Sequence, residues 1–403
     1  MKIVQINSVC GQGSTGKICV AISKLLSDNG IENYILYSEG VSDYFLAKKY
    51  VSAFYIKMQA FFSRIFGNNG FNCVFGTRKL IKILKKIDPD IVCIHNIHGH
   101  GVNLKILFSY LKKNNKKVFW TFHDCWAFTG YCNHFDYINC DKWKDKCKNC
   151  PQKKEFSWIF DKSGKIFEKK KKLFANLDLT IITPSEWLAG LVKQSFLKEH
   201  PVKVINNGID LSVFKPTESN FREKYNISED KFILLGVSFG WGIRKGLDVF
   251  IRLAKVLDDS YKIVLVGTDN RTDKMLPDNI LSIHRTENQV ELAKIYTAAD
   301  VFVNPTREEN YPTVNMESLA CGTPVITFAT GGSAEMIDDN TGIVVPKDDF
   351  DQLTRVLQAI RQNNPFNRQN CLEKAKSFTD KNKYEKYLSL YRKQSENEKN
   401  NKV

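Results

Sequence analysis

Twice along its 403 residues the chain alternates short apolar runs with stretches of helical spacing. Residues 2–9 form the first apolar run, which ends in Gly11-Gln12-Gly13-Ser14-Thr15-Gly16. Residues 17–26 then place Ile18, Ala21, Ile22, Leu25 and Leu26 on one helical face, and Asn29-Gly30 stops them. Further strands are expected at 31–37, 91–95, 117–122 and 179–183, with a helix over 104–112. The pattern restarts at Phe232. Strands are expected at 232–237, 262–266, 280–284, 301–304 and 324–328. Helices are expected at 246–257, 290–299 and 350–361, and one starting at Glu317. Strands that alternate with helices build parallel sheets covered on both faces. The expected fold is therefore α/β: two tandem Rossmann-like halves, with the ligand site in the cleft between them, where the carboxyl ends of the strands open. Residues 1–210 form the first half, 211–380 the second, and 381–403 a C-terminal helix returning to the first, with a polar tail. The stretch after Asp210 to about Asp230 reads as a linker.

Charge is unevenly placed. The net charge is +15, and residues 45–120 carry 14 lysines and arginines against only Asp88 and Asp90. Such a run implies an anionic partner: a membrane surface, nucleic acid or an acidic substrate. It is also the pattern of a solvated face. Residues 51–66 put Phe54, Met58, Phe61, Phe62 and Ile65 on one helical stripe. That stripe suits a helix lying in a membrane interface, or one facing the core. No run of 18 apolar residues is present, so no transmembrane helix is expected. The N-terminus lacks a signal-peptide pattern, which places the chain in the cytoplasm with its 11 cysteines reduced.

Three motifs invite different chemistry. Gly11–Gly16 fits the dinucleotide fingerprint, with Glu39 at a suitable distance, but also a tight strand-to-helix turn. A P-loop is disfavoured because Ile18 stands where Mg²⁺ needs Ser or Thr. Asp88-Pro89-Asp90 is acidic, yet it precedes a strand and reads as a turn. More informative is the pair Glu309 and Glu317, with seven residues between them, on a loop leading into a helix. Backbone N–H groups there can face an anion, and the two carboxylates can accept hydrogen bonds from sugar or ribose hydroxyls.

With Val204-Ile205-Asn206-Asn207-Gly208-Ile209-Asp210, the E-x7-E block, Gly322-Thr323-Pro324 and Thr330-Gly331-Gly332-Ser333-Ala334-Glu335, the sequence resembles the GT-B retaining glycosyltransferases of family 4. The resemblance spans nearly the whole chain. It implies that Glu309 contacts the donor sugar and Glu317 the ribose, with Asn310, Tyr311, Pro312, Thr313 and Val314 around sugar and diphosphate and the backbone N–H groups of all but Pro312 as donors. Lys245 fits the diphosphate lysine. The accompanying arginine is missing: Gly240 stands there, and Arg244 is the candidate substitute. Gly13 in the first loop and Arg285 near the base complete the donor set. His123 is expected at the sugar or acceptor, with His98 and Asp124 toward the acceptor; structural roles suit these histidines too.

Cys132, Cys140, Cys147 and Cys150 crowd an insertion at 125–151. In a reducing compartment they suggest a structural zinc site or free thiols. The expected activity is transfer of a sugar from a UDP- or GDP-sugar to a hydroxyl of a glycan, expected to be lipid-linked, with retention and without a catalytic metal or other cofactor. Such a protein would lie peripherally at the inner membrane face and serve polysaccharide biosynthesis, such as capsule or O-antigen. The competing readings are a GT-B-like nucleotide-sugar epimerase, which lacks this E-x7-E block, and a basic non-enzymatic binding protein. Lys245 with both glutamates argues against the latter, and so against a nucleic-acid partner.

Overall fold

The computed structural model describes residues 1–400, which divide into two compact units, Met1–Asn206 with Lys383 onward, and Asn207–Asn382. The first unit is built on a seven-stranded sheet: β1 (Lys2–Asn7), β2 (Glu32–Tyr37), β3 (Ala47–Lys49), β4 (Ile91–Ile94), β5 (Lys117–Thr121), β6 (Leu179–Thr183) and β7 (Val202–Val204). Its order is β3-β2-β1-β4-β5-β6-β7, and every pairing is parallel. The second unit carries six parallel strands: β8 (Phe232–Val237), β9 (Tyr261–Val266), β10 (Ile280–Ile283), β11 (Val301–Asn304), β12 (Val325–Phe328) and β13 (Gly342–Val345). They run in the order β10-β9-β8-β11-β12-β13. Both sheets are doubly wound, with strand order reversing beside β1 and beside β8.

The period of two along the strands explains the layers. In β5, Val118 and Trp120 join the core on one face, and Phe119 the core on the other. In β8, Ile233 and Leu235 face one layer, and Phe232 and Leu234 the opposite one. Because helices cover both faces, the central strands are buried almost without interruption. The Asp380–Asn400 helix closes one face of the first sheet, with Tyr384, Tyr387, Leu388 and Tyr391 against Phe119 and Ile91. The Tyr391 and Phe119 rings meet edge-on at 5.1 Å.

Two expectations need correction. The stretch after Asp210 is not a free linker: Phe214, Phe221 and Ile227 are buried in the core of the second unit, because their apolar side chains cap its sheet. The helix expected to start at Glu317 spans Thr313–Ala320, so Glu317 lies within it rather than at its start. Helices at Ser163–Phe174 and Glu186–Gln194 escape the apolar pattern, the first because it is lysine-rich. Among the described residues, no helix is long and apolar enough to cross a membrane.

Candidate active site

In the second unit, β11 ends at Asn304, and residues 305–312 form the loop that leads into the Thr313–Ala320 helix. Arg307, which sequence reasoning misses, secures this loop. Its guanidinium makes a two-pronged contact with Asp248 at 2.7 and 2.8 Å and donates to Asp348 at 2.5 Å. A planar fork that meets two carboxylates fixes orientation as well as charge. The Arg307 N–H also donates to the Arg244 carbonyl at 2.8 Å, which stitches the loop to the turn after β8.

That stitching brings Lys245 to Glu309. Lys245 Nζ donates to Glu309 Oε2 at 2.7 Å, and Oε1 accepts from the Asn310 N–H at 3.1 Å. Arg244 is placed differently: its Nε pairs at 3.4 Å with Glu308, a buried carboxylate. Gly240 lies in open space beside a fully exposed Phe239, so no side chain at 240 supplies the charge of the missing arginine. Glu317 accepts from the hydroxyl of buried Tyr296 at 3.3 Å, a partner that no sequence motif points to. Asn310 and Tyr311 are buried, whereas Thr313 and Val314 are half-buried in the first turn of the helix. The helix starts after Pro312 with no side-chain cap, so its N-terminus keeps the amide-rich, positive end of the helix dipole. Arg285 is exposed just beyond β10.

Gly331 holds the other side of the loop. Its φ is +55°, and a Cβ there would stand 1.8 Å from the Glu309 carbonyl oxygen. Next to it, the Gly332 N–H donates to the Asn310 carbonyl at 2.7 Å. Two backbone segments thus touch at the base of Glu309, a contact only glycine permits.

In the first unit, the ends of β4 and β5 form a small hollow lined by His95, Asn96, His98, Thr121, His123 and Asp124. His98 Nε2 lies 2.9 Å from Asp124 and 3.2 Å from Asn133. His95 and His123 stack at 5.6 Å, with ring nitrogens 3.3 Å apart, and His95 continues to Gln5 at 3.1 Å. Burial pushes His123 down to about 4, so its imidazole is neutral at pH 7. The unfolded chain takes up that proton near pH 6.5. Between about pH 6.5 and 4 the unfolded state therefore binds more protons, and stability falls as pH falls. For this group the slope is up to about 1.4 kcal/mol per pH unit. Chemical denaturation at pH 7 and 5 should show the loss, and His123→Asn should lessen it, leaving the share of its neighbour His95, which burial also pushes down; an unchanged slope would place the acid sensitivity elsewhere.

Gly13 opens the Gly13–Asp28 helix at φ +61°, and the Gly11 N–H closes the preceding turn on the Gly16 carbonyl at 3.1 Å. Cys132 and Cys147 are buried, and Cys140 and Cys150 are half-buried. The Gly130 N–H donates to Cys147 Sγ at 3.3 Å. The insertion packs mainly through rings, with Trp143 stacked on Phe135 at 4.9 Å. Among the described residues, no group of three or more His, Cys, Asp or Glu side chains is arranged to hold a metal ion, so the zinc site expected from the spacing is not preassembled.

The family model for Glycosyltransferase Family 4 matches residues 16–213, and that for Glycosyl transferases group 1 matches 217–378. The chain is a family 4 glycosyltransferase of the GT-B fold. This glycosyltransferase is 23% identical over 382 residues to the protein named as colanic acid biosynthesis glycosyl transferase WcaC in Escherichia coli (strain K12), covering 88% of this chain and 90% of that one. It is 31% identical over 177 residues to D-inositol 3-phosphate glycosyltransferase of Streptosporangium roseum, but over only 39% of this chain and 40% of that one. Among solved structures, Anabaena HepE in complex with UDP-glucose superposes with a TM-score of 0.70 at 14% identity, covering 98% of this chain and 100% of that one. Sucrose-phosphate synthase from Thermosynechococcus elongatus gives 0.71 at 18%, covering 98% of each. At these identities the structural likeness establishes the fold.

Proposed function

We propose that this glycosyltransferase moves a sugar from a nucleoside diphosphate sugar to a hydroxyl of a lipid-linked glycan, with retention of anomeric configuration. The observation that carries the reading is the Lys245–Glu309 contact at the uncapped start of the Thr313–Ala320 helix. In the proposed scheme the donor's diphosphate takes Lys245 and the loop amides, and Glu309 turns to the sugar hydroxyls. Glu317 accepts from the ribose. The acceptor O–H attacks the anomeric carbon on the face from which the C–O bond to phosphate breaks. The departing phosphate oxygen takes the proton, so no protein nucleophile is required. Negative charge grows on that phosphate, where a fixed cation and oriented amides act most strongly. The cation in this scheme is Lys245, so adding Mg²⁺ or Mn²⁺ is expected to leave turnover unchanged.

The UDP and UDP-glucose complexes of HepE favour a nucleotide-sugar donor over other phosphorylated ligands. The WcaC name favours a polysaccharide acceptor. A lipid-linked acceptor at an anionic membrane is supported by the lysine-rich first unit. His98 and Asp124 would hold acceptor hydroxyls, with neutral His123 beside them. The test begins with a screen of UDP-, GDP- and ADP-sugars by thermal shift, then Glu317→Ala. Losing a charged hydrogen bond of about 1.5–3 kcal/mol should weaken nucleotide binding roughly tenfold to hundredfold. Wild-type affinity in Glu317→Ala would remove it from the donor site. A sugar altered without any acceptor would favour the epimerase.

Structural zinc at the four cysteines is also proposed, as a site that closes only on the ion. All four thiols lie within nineteen residues of one insertion, Cys132 and Cys147 buried and Cys140 and Cys150 half-buried. Buried Lys170, pulled down to about 7 by burial, donates to the Trp126 and Thr129 carbonyls at 2.6 and 3.1 Å and so holds the start of the insertion. Elemental analysis of the reduced protein should find about one zinc per chain; none would remove the site.

A further inference from the structure

The Ala53–Phe66 helix turns most of its aromatic rings outward. Its inward face carries Ile56, Gln59 and Ser63, all buried, with Ile56 in the core. Its outward face carries Phe54, Phe61, Phe62 and Phe66, which are 79%, 52%, 40% and 44% exposed. Ordinary surface helices keep such rings on the core side. The helix does not carry these rings alone. Residues 157–160 fold against its C-terminal end: the Trp158 N–H donates to the Arg64 carbonyl at 2.7 Å, and the Trp158 ring meets Phe61 edge-on at 6.0 Å. Trp158, Ile159 and Phe160 are 54%, 56% and 48% exposed. Gly67, at φ +61°, lets the chain pass beneath them; a Cβ there would meet the Phe160 carbonyl at 2.7 Å. The result is a fixed apolar ridge, larger than the single stripe visible in the sequence.

Cations surround the ridge. Lys57 and Arg64 are exposed on the same helix. Lys162 lies 5.5 Å from the Phe160 ring, and Lys153 donates to the Ile159 carbonyl at 3.2 Å. Tyr55 touches Phe75 at 6.3 Å, at the start of the Val74–Ile87 helix. That helix exposes Arg78, Lys79, Lys82, Lys85 and Lys86 and contains no acidic residue. Glu155 and Asp161 are the acidic groups of the adjoining loop, and Asp161 is engaged by the N–H groups of Cys150 and Ser163.

We propose that this ridge is an insertion surface for an anionic lipid bilayer, with Phe61, Phe62, Trp158 and Phe160 entering the interface and the surrounding cations meeting the headgroups. It rests on the reading of a lipid-linked acceptor and names the surface that would bring the enzyme to it. Charge complementarity selects the occupant. A second copy of this chain would set basic rim against basic rim, whereas anionic headgroups attract each nearby cation, and exposed rings gain by leaving water.

The experiment is co-sedimentation with vesicles of phosphatidylcholine alone or with phosphatidylglycerol added. The full chain should bind only the anionic vesicles, less as salt rises. Its emission should shift to the blue on binding, and Trp158→Phe should lose that shift while still sedimenting. Phe61→Ser with Phe62→Ser, and separately Trp158→Ser with Phe160→Ser, should each weaken binding roughly tenfold or more, with only a small drop in melting temperature because each ring is already about half in water. Nucleotide binding, which belongs to the other unit, should be retained in both. Undiminished vesicle binding in these variants, equal binding to neutral vesicles, or a dimer that the substitutions split would overturn the surface. Loss of sugar transfer to a soluble acceptor would bear on the transferase reading instead.

Discussion

Lys245→Ala is expected to lower turnover by roughly a hundredfold to a thousandfold, the scale of losing one pre-placed charge donor at a leaving group. The free nucleoside, which lacks the phosphates, should bind almost as before. That contrast separates a role at the diphosphate from general damage to the unit. The partner matters as well: Lys245 Nζ sits 2.7 Å from Glu309, so the lysine also positions the carboxylate. Removing either group disturbs the other, and the two losses should not add. In a double-mutant cycle, Lys245→Ala with Glu309→Gln should therefore fall little below the worse single variant. Strict additivity would mean the two act independently and the contact has no bearing on transfer. Equal loss of affinity for nucleoside and nucleotide would mean the substitution damages the fold.

Much of this architecture is legible in the sequence, for a physical reason. A strand buried on both faces must be apolar throughout, so Ile91–Ile94, Leu179–Thr183 and Phe232–Val237 stand out as short runs. The same rule hides the edges. β3 is Ala47-Lys48-Lys49 and β7 is Val202-Lys203-Val204, three residues each with lysines outward, and no pattern separates them from loop. The Ser163–Phe174 helix is hidden by its lysines, one of which, Lys170, is buried against the Trp126 ring at 3.6 Å. A buried lysine contradicts its own composition and can be seen only in three dimensions.

The site follows the same division. Glu309 and Glu317 are conspicuous through the seven residues between them, beside a helix, and Lys245 through the family resemblance. Arg307 is not conspicuous: its three carboxylate and carbonyl partners come from 243, 248 and 348, which are remote in sequence. The aromatic stripe at 53–66 shows the limit most clearly. Periodicity reveals that one face is apolar, but not that Gln59 and Ser63 turn inward and the rings outward. The side of a helix that faces the core is set by the tertiary packing, here of Ile56 into the core of the first unit, which periodicity does not report.

Gly331→Ala should abolish most activity while leaving a folded protein. The added methyl must occupy space 1.8 Å from the Glu309 carbonyl oxygen and 2.8 Å from its carbon, and both are backbone atoms without a rotamer to change. The backbone at 331 is also left-handed, φ +55°, which costs a residue with a Cβ about 1–2 kcal/mol. One of the two segments must move, and the one that carries Glu309 also carries the Asn310 amide bonded to its carboxylate. A displacement of about 1 Å at a positioned group can cost roughly a hundredfold in rate. Gly190→Ala is the control. Gly190 lies in the Glu186–Gln194 helix with nothing within 4 Å of where a Cβ would stand, so alanine there should leave turnover alone and stabilise by about 0.5–1 kcal/mol. Turnover and melting temperature measured together decide the matter. Gly331→Ala with wild-type turnover would show that the 309 and 331 segments can part without moving Glu309. A variant that is merely unfolded would show the contact to be structural, and the carboxylate would then have to be tested directly through Glu309→Gln.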